Sequence, residues 1–210
     1  MPPAPEGGPL AGLTVAVTRP AHQAVGLAAR LAAAGAEVIR FPVLAIAPVP
    51  LSEATRALLQ ELPEFSMLVF VSANAVEHGL PLIRQHAPGG GWTVAAVGRA
   101  TAHALEARGA GPVLVPAGRY DSEGLLALPE LQPNAVAGRA VAIVRGEGGR
   151  AVLGDTLRAR GAARVEHLEV YRRIRPDTDP GPLRRRCAAG EVDAVLLSSA
   201  EGLENLVALL

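Results

Sequence analysis

A duplicated strand–turn–helix unit constrains the fold of this chain more than any other feature of its sequence. AGLTVAVTRP at 11–20 aligns with AGRAVAIVRG at 137–146, which places Arg19 opposite Arg145. The alignment runs on through the following stretches: Leu27 and Leu31 fall opposite Leu153 and Leu157, and Gly35 opposite Gly161. After one inserted residue, EVIRFPVL (37–44) matches RVEHLEVY (164–171), and VFVSANAV (69–76) matches AVLLSSAEGL (194–203). A short apolar run followed by a helical period, used twice, specifies two copies of one α/β unit.

The rest of the chain keeps that alternation. LTVAV (13–17), EVIRFPVLAIAPV (37–49), MLVFV (67–71), TVAAV (93–97), PVLV (112–115), AVAIV (140–144), ARVEHLEVY (163–171) and DAVLL (193–197) read as strands. Most are separated by one helix-like segment, which implies parallel strands joined by right-handed crossovers. The first such helix follows Pro20, repeats apolar positions at Ala24, Leu27, Ala28 and Leu31, and stops at Gly35. The first copy continues through 95–128, whereas the second stops at Leu210, where its counterpart of that stretch is due. Two strand–helix units are therefore expected to be missing from the second copy. DAVLL is then an unprotected sheet edge and LENLVALL has an uncovered apolar face, so aggregation or dimerisation through that part is expected.

Composition removes several kinds of chemistry. All twenty basic residues are arginine, and they balance twenty acids to a formal charge of zero. Neither half is basic, which argues against a nucleic-acid partner. Without lysine there is no Walker A loop, no Schiff base and no pyridoxal chemistry. The glycine turn VRGEGGR (144–150) also lacks the spacing of a dinucleotide fingerprint. Its glycines alone leave open a carboxylate-binding turn or a plain connection. The single cysteine, Cys187, excludes a disulfide framework and a cysteine zinc site. The five histidines are scattered, so no metal is expected. The start MPPAPEGGPLAG lacks the basic and apolar regions of a signal peptide, and no apolar stretch nears the roughly twenty residues of a membrane span. A soluble cytoplasmic protein with no membrane partner is expected.

Six segments, in order, resemble the uroporphyrinogen-III synthase family: VTRP (17–20), LAARLAAAGAEVIRFPVLAI (27–46), FVSANAVEHGL (70–80), AAVGRATAHAL (95–105), VPAGRYDSEGLL (115–126) and VRGEGGRAVLGDTLRARGAARVEHLEVYRR (144–173), so that the resemblance covers most of residues 11–203. The resemblance implies a lyase without cofactors, acting in tetrapyrrole (heme) biosynthesis. It implies an α/β fold of two flavodoxin-like parallel-sheet lobes joined by a two-stranded linker, with the substrate between them. Residues 44–173 correspond to one continuous lobe. Residues 1–43 and 174–210 correspond to the other, discontinuous lobe, whose last part is truncated here. The substrate implied is hydroxymethylbilane, with its eight carboxylates, handed over from the deaminase that makes it; a complete chain of this kind is a monomer. The alternatives are a truncated, non-catalytic tetrapyrrole-binding fragment and an unrelated flavodoxin-like small-molecule module. A flavin module would offer more stacking surface than one Trp and two Tyr.

The reaction proposed for the family expels a hydroxyl from ring A. Ring D then attacks through its substituted carbon, and the spiro intermediate reopens and recloses with ring D inverted. Unaided closure gives the unrearranged type I isomer, so positioning contributes more than any single acid or base. Tyr171, ending HLEVY at the linker, is the expected proton donor to the leaving oxygen, since the resemblance places a tyrosine of the family there; the alternative is a tyrosine with its hydroxyl in water. Ser72, Thr101 and Ser199 each lie between an apolar strand and a helix. They are expected either to cap that helix or to meet substrate carboxylates at its N-terminus. Gly98 gives backbone access at VGRATA or only makes the turn. Arg19, Arg145 and Arg150, at the duplicated turns, are expected carboxylate partners, against solvated arginines as the alternative. The segment 172–186 reads as linker exit and solvated surface.

Overall fold

The computed structural model describes residues 7–210, so the first six residues of the Pro/Gly-rich start lie outside the described residues. In chain order the elements are β1 (Thr14–Val17), α1 (Ala21–Ala33), β2 (Glu37–Arg40), β3 (Ala45–Pro48) and α2 (Glu53–Glu61). There follow β4 (Met67–Phe70), α3 (Ala73–His86), β5 (Thr93–Ala96), α4 (Arg99–Glu106), β6 (Val113–Leu114) and α5 (Ser122–Leu126). The chain then forms α6 (Pro133–Val136), β7 (Ala140–Gly146), α7 (Val152–Ala159), β8 (Arg164–Ile174), α8 (Gly181–Ala188), β9 (Ala194–Leu196) and α9 (Ala200–Leu209).

The chain divides into two compact units. The first comprises residues up to Ile46 together with Arg173–Leu210, and the second is the continuous stretch Ala47–Arg172. The first has a three-stranded parallel sheet in the order β2-β1-β9. Asp193 Oδ2 accepts from the Thr14 amide at 2.7 Å, and Thr18 Oγ1 donates to the Leu196 carbonyl at 2.7 Å, which fastens β9 to β1 at both ends. Ala16, Phe41, Val43, Leu183 and Leu206 form its core. Leu183 belongs to α8, so the segment 172–186 is not wholly solvated surface. Arg186 on that helix reaches back to Glu37 in β2 at 2.5 and 2.9 Å, and this bond holds the Glu37 carboxyl below its usual range. All three residues of β9 are exposed, as are Leu197, Leu203 and Val207.

The second unit carries the larger sheet, in the order β3-β8-β7-β4-β5-β6. In it β4 pairs in parallel with β5 and β7, β5 with β6, and β7 with β8. β4 is buried along its whole length because helices cover both faces of a parallel sheet. Met67, Val69, Val141 and Ile143 face Leu125, Leu153 and Leu157 from α5 and α7. Alternation turns Val144 the other way, onto α3, where a Cβ on Gly79 would lie 2.5 Å from Val144 Cγ1.

Candidate active site

The order of the larger sheet has one reversal. From β4 the chain moves outward through β5 to β6, then returns beside β4 as β7 and moves outward the other way to β8. In open parallel sheets ligands bind outside the carboxyl ends of the strands at such a switch point. The carboxyl ends of the two strands that flank it lead into Ser72, after β4, and into VRGEGGR, at the end of β7. The neighbouring strand ends supply Tyr171 on β8 and Gly98 after β5.

Ser72 is the N-cap of α3: its side chain, half-buried, accepts from the Ala75 amide at 3.0 Å. The same oxygen lies 3.1 Å from the Tyr171 hydroxyl. Tyr171 is only 3 % exposed, so its phenol is not in water. A register shift seats it there. Arg145 pairs with Glu169, but the next residue, Gly146, pairs with Tyr171, leaving Val170 as the extra residue of a β-bulge. A Cβ on Gly146 would stand 2.6 Å from the Tyr171 ring, so glycine is what lets the ring lie over the strand. The Glu147 amide donates to the Tyr171 carbonyl at 2.9 Å, and the His78 ring lies 6.1 Å from the tyrosine ring, centre to centre.

The arginines of the turn behave differently from one another. Arg145 is buried and folds back on its own loop: Nε donates to the Gly146 carbonyl at 3.2 Å and Nη1 to the Arg150 carbonyl at 3.3 Å. Gly149 lies directly against its guanidinium, where a Cβ would be 2.5 Å from Nη2. Two of its guanidinium nitrogens thus face the turn's own carbonyls, and Glu169 Oε1 lies 3.8 Å from Nε. Gly148 takes φ +68°, which closes the turn. Arg150 is exposed and binds Glu123 at 2.5 Å. That bond, first among its causes, holds the Glu123 carboxyl below its usual range. Asp121 is held low by the Gly124 amide and then by Arg119, and it caps α5.

At the β5–α4 turn the cap is Gly98, not a hydroxyl. Thr101 lies inside the first turn of α4 and is buried, which corrects the expectation of a capping threonine: the backbone of Gly98 already occupies the cap position. In the smaller unit Ser199 is exposed and caps α9, accepting from the Gly202 amide at 3.0 Å. Arg19 is half-buried, and its Nε is buried without a hydrogen-bond partner. The structure thus brings Ser72, Tyr171 and the Arg145–Arg150 turn together around one switch point. It sets Gly98 and Thr101 at the next strand end.

Sequence reasoning did not single out Gly146, Gly149, His78, Asp121 or Glu123. The first two carried a signal, since a glycine cluster beside a buried strand end marks close approach of side chains. A cavity of about 420 Å³ also opens in the larger unit, lined by Phe70, Ile83, Arg84 and Trp92. Its loops precede β5 and β6, at the opposite end of the sheet, and Arg84 is its one charged side chain, so it offers little chemistry. Among the described residues no three His, Cys, Asp or Glu side chains converge as metal ligands, and no helix is long and apolar enough to cross a membrane.

Comparison with known proteins bears on the family and the fold. The family model described as uroporphyrinogen-III synthase HemD matches residues 26–210. The uroporphyrinogen-III synthase of Escherichia coli K12 is 35% identical over 202 residues, covering 94% of this chain and 80% of the relative. That of Synechococcus elongatus is 32% identical over 214 residues, with 96% and 76% covered. Among solved structures, a mutant uroporphyrinogen III synthase from the extremely thermophilic bacterium Thermus thermophilus superposes with a TM-score of 0.59 at 22% identity, covering 94% of this chain and 77% of its own. The enzyme from Helicobacter pylori 26695 gives 0.54 at 11%, with 94% and 78% covered.

Proposed function

The chain belongs to the uroporphyrinogen-III synthase family, and from that premise we infer that it cyclises hydroxymethylbilane to uroporphyrinogen III, inverting ring D and releasing water. The observation that carries the reaction is the 35% identity over 202 residues to a relative of that name. Two compact units with β3 and β8 running from one into the other correspond to the two flavodoxin-like lobes and linker of the family. Turns at the carboxyl ends of parallel strands then meet the substrate's carboxylates through backbone amides.

Arg145 serves by bracing the VRGEGGR turn from inside, so that its glycine amides keep a fixed direction. Arg150, held on Glu123, and Thr101 and Gly98 extend the same surface along the sheet. Arg19 and Ser199 are the corresponding contacts of the smaller unit, where the unpartnered Arg19 Nε is a donor in need of an acceptor. Tyr171 with Ser72 supplies the proton that leaves with the hydroxyl of ring A. That proton is restored when the free carbon of ring D loses its own at closure, so the enzyme returns unchanged.

The test feeds the purified chain hydroxymethylbilane, generated in place by a deaminase, and separates the oxidised uroporphyrin isomers. Type III above the deaminase-only control is the expected result. Type I alone, with the substrate still bound in equilibrium dialysis, would instead identify a tetrapyrrole-binding fragment.

A further inference from the structure

We propose that Ser72, not Tyr171, is the hydroxyl that touches the substrate, and that Tyr171 acts through it as the source of the proton; this rests on the synthase reading above. A serine hydroxyl has one proton to donate and two lone pairs to accept with. The Ala75 amide fills one lone pair at 3.0 Å. The remaining choice lies in the 3.1 Å contact with the Tyr171 hydroxyl, where either oxygen can donate.

Burial decides the direction. Tyr171 is 3 % exposed, and its contact with Ser72 is the one hydrogen bond its hydroxyl makes among the described residues. If Ser72 donated, the phenolic proton would be left buried and unpaired, the costlier arrangement. Tyr171 therefore donates to Ser72, both serine lone pairs are filled, and the serine proton must point away from the helix and from the phenol. Ser72 is half-buried and sits at the carboxyl end of β4, beside the sheet's reversal of direction. Its outward proton is the one a substrate oxygen can accept.

The transfer balances. The Ser72 proton passes to the leaving hydroxyl oxygen, the carbon–oxygen bond breaks and water departs. The phenolic proton moves onto Ser72 in the same event, leaving a phenolate at Tyr171. That anion lies at the N-terminal end of α3, fourteen residues long, where the helix dipole favours negative charge. The proton lost by ring D at closure refills the pair. Gly146 and the bulge at Val170 are the positioning elements, because they alone leave room for the ring that aims the phenol at Ser72.

The experiment measures kcat, KM and isomer ratio for the full chain and its variants. Ser72→Ala is expected to lower kcat about 100-fold or more, the usual contribution of a general acid, with KM within about threefold. Tyr171→Phe lowers kcat less, and the double variant is no slower than Ser72→Ala, because both act on one proton path. Ser72→Asp keeps the cap and an acceptor for Tyr171 but has no proton to give, so it unfolds at the wild-type temperature yet is as slow as Ser72→Ala. Ser72→Thr restores the rate to within about tenfold of wild type. Gly146→Ala lowers kcat, but adds nothing in the Tyr171→Phe background. Multiplying effects in the double variant, or a fast Ser72→Asp, overturn the relay while leaving the synthase reading intact. A wild-type chain that makes type I alone overturns both.

Discussion

Replacing Gly79 by alanine sets two effects of known size against each other. Gly79 is a buried residue of α3, and glycine in a helix interior costs about 1 kcal/mol relative to alanine, so propensity alone favours the substitution. Packing opposes it. The new Cβ would sit 2.5 Å from Val144 Cγ1 and 3.4 Å from Val170 Cγ2. An ordinary contact needs about 3.5–4 Å, so the helix must lift by about 1 Å or Val144 must leave its rotamer. Val144 is fully buried on β7 and Val170 nearly so on β8, and both strands are held by ladders on either side. Overpacking of this kind costs about 1–3 kcal/mol, so the net expectation is a loss of about 1 kcal/mol, or about 2–4 °C in Tm for a chain of this size. Urea unfolding followed by circular dichroism and by the fluorescence of Trp92, the single tryptophan and a member of the same unit, reads the effect. Gly26→Ala on the exposed side of α1 is the control, since its Cβ meets nothing within 4 Å and should stabilise; it lies in the smaller unit, so circular dichroism and not Trp92 reads it. Adding Val144→Ala should recover part of the loss beyond simple additivity. A Gly79→Ala chain as stabilised as Gly26→Ala would refute the argument that steric contact outweighs propensity here.

Two further perturbations probe the larger unit. His167 Nε2 is buried without a partner, and burial first, then the charges of Arg145 and Arg158, push its pKa below the ordinary 6.5. Below that value the unfolded chain takes up a proton that the folded chain refuses. Stability from this residue is thus complete above pH 6.5 and falls as the pH drops through 6.5 toward the folded value. Wild type should lose stability between about pH 7 and 5 more steeply than His167→Gln, and equal slopes in urea titrations would exclude the histidine as the cause. Trp92→Phe removes the indole donor bonded to the Leu62 carbonyl at 2.7 Å, and should cost about 1 kcal/mol by circular dichroism; no change would mean water replaces that bond freely.

The frame of this protein is legible because the runs that form strands are short, β-branched and bounded, and because the chain uses them twice. TVAV and AVAIVRG become β1 and β7, and the serines that follow β4 and β9 become helix caps, as a small hydroxyl between strand and helix suggests. What the sequence conceals depends on tertiary context. HGLPL holds two residues of low helix propensity, Gly79 and Pro81, yet α3 runs through it. The burial of Ala75, Val76, Leu80 and Ile83 against the sheet outweighs local preference. An arginine in a glycine turn reads as solvated or substrate-facing, but Arg145 turns inward because Gly149 leaves a hollow of its own shape. The bulge at Val170 has no sequence signature. It flips the pleat parity of HLEVY by one residue, and so decides that Tyr171 meets Ser72 instead of following Glu169 onto the other face.

The insertion of one unit within the other bears on how the chain is made. β1 and β2 leave the ribosome first, but their sheet partner β9 emerges about 150 residues later, some 8–30 s at roughly 5–20 residues per second. During that wait the early strands are a half-sheet with β1 open where β9 will pair. The continuous unit can fold in the meantime, and its first and last strands, β3 and β8, are sheet neighbours. Folding it therefore replaces a tether of well over 100 residues by two adjacent chain ends, removing most of the closure entropy that separates β1 from β9. The middle of the sequence acts as the template that returns the late strand to the early ones, so a substitution that slows folding of residues 47–172 is expected to leave the other unit unmade even though it touches none of its residues.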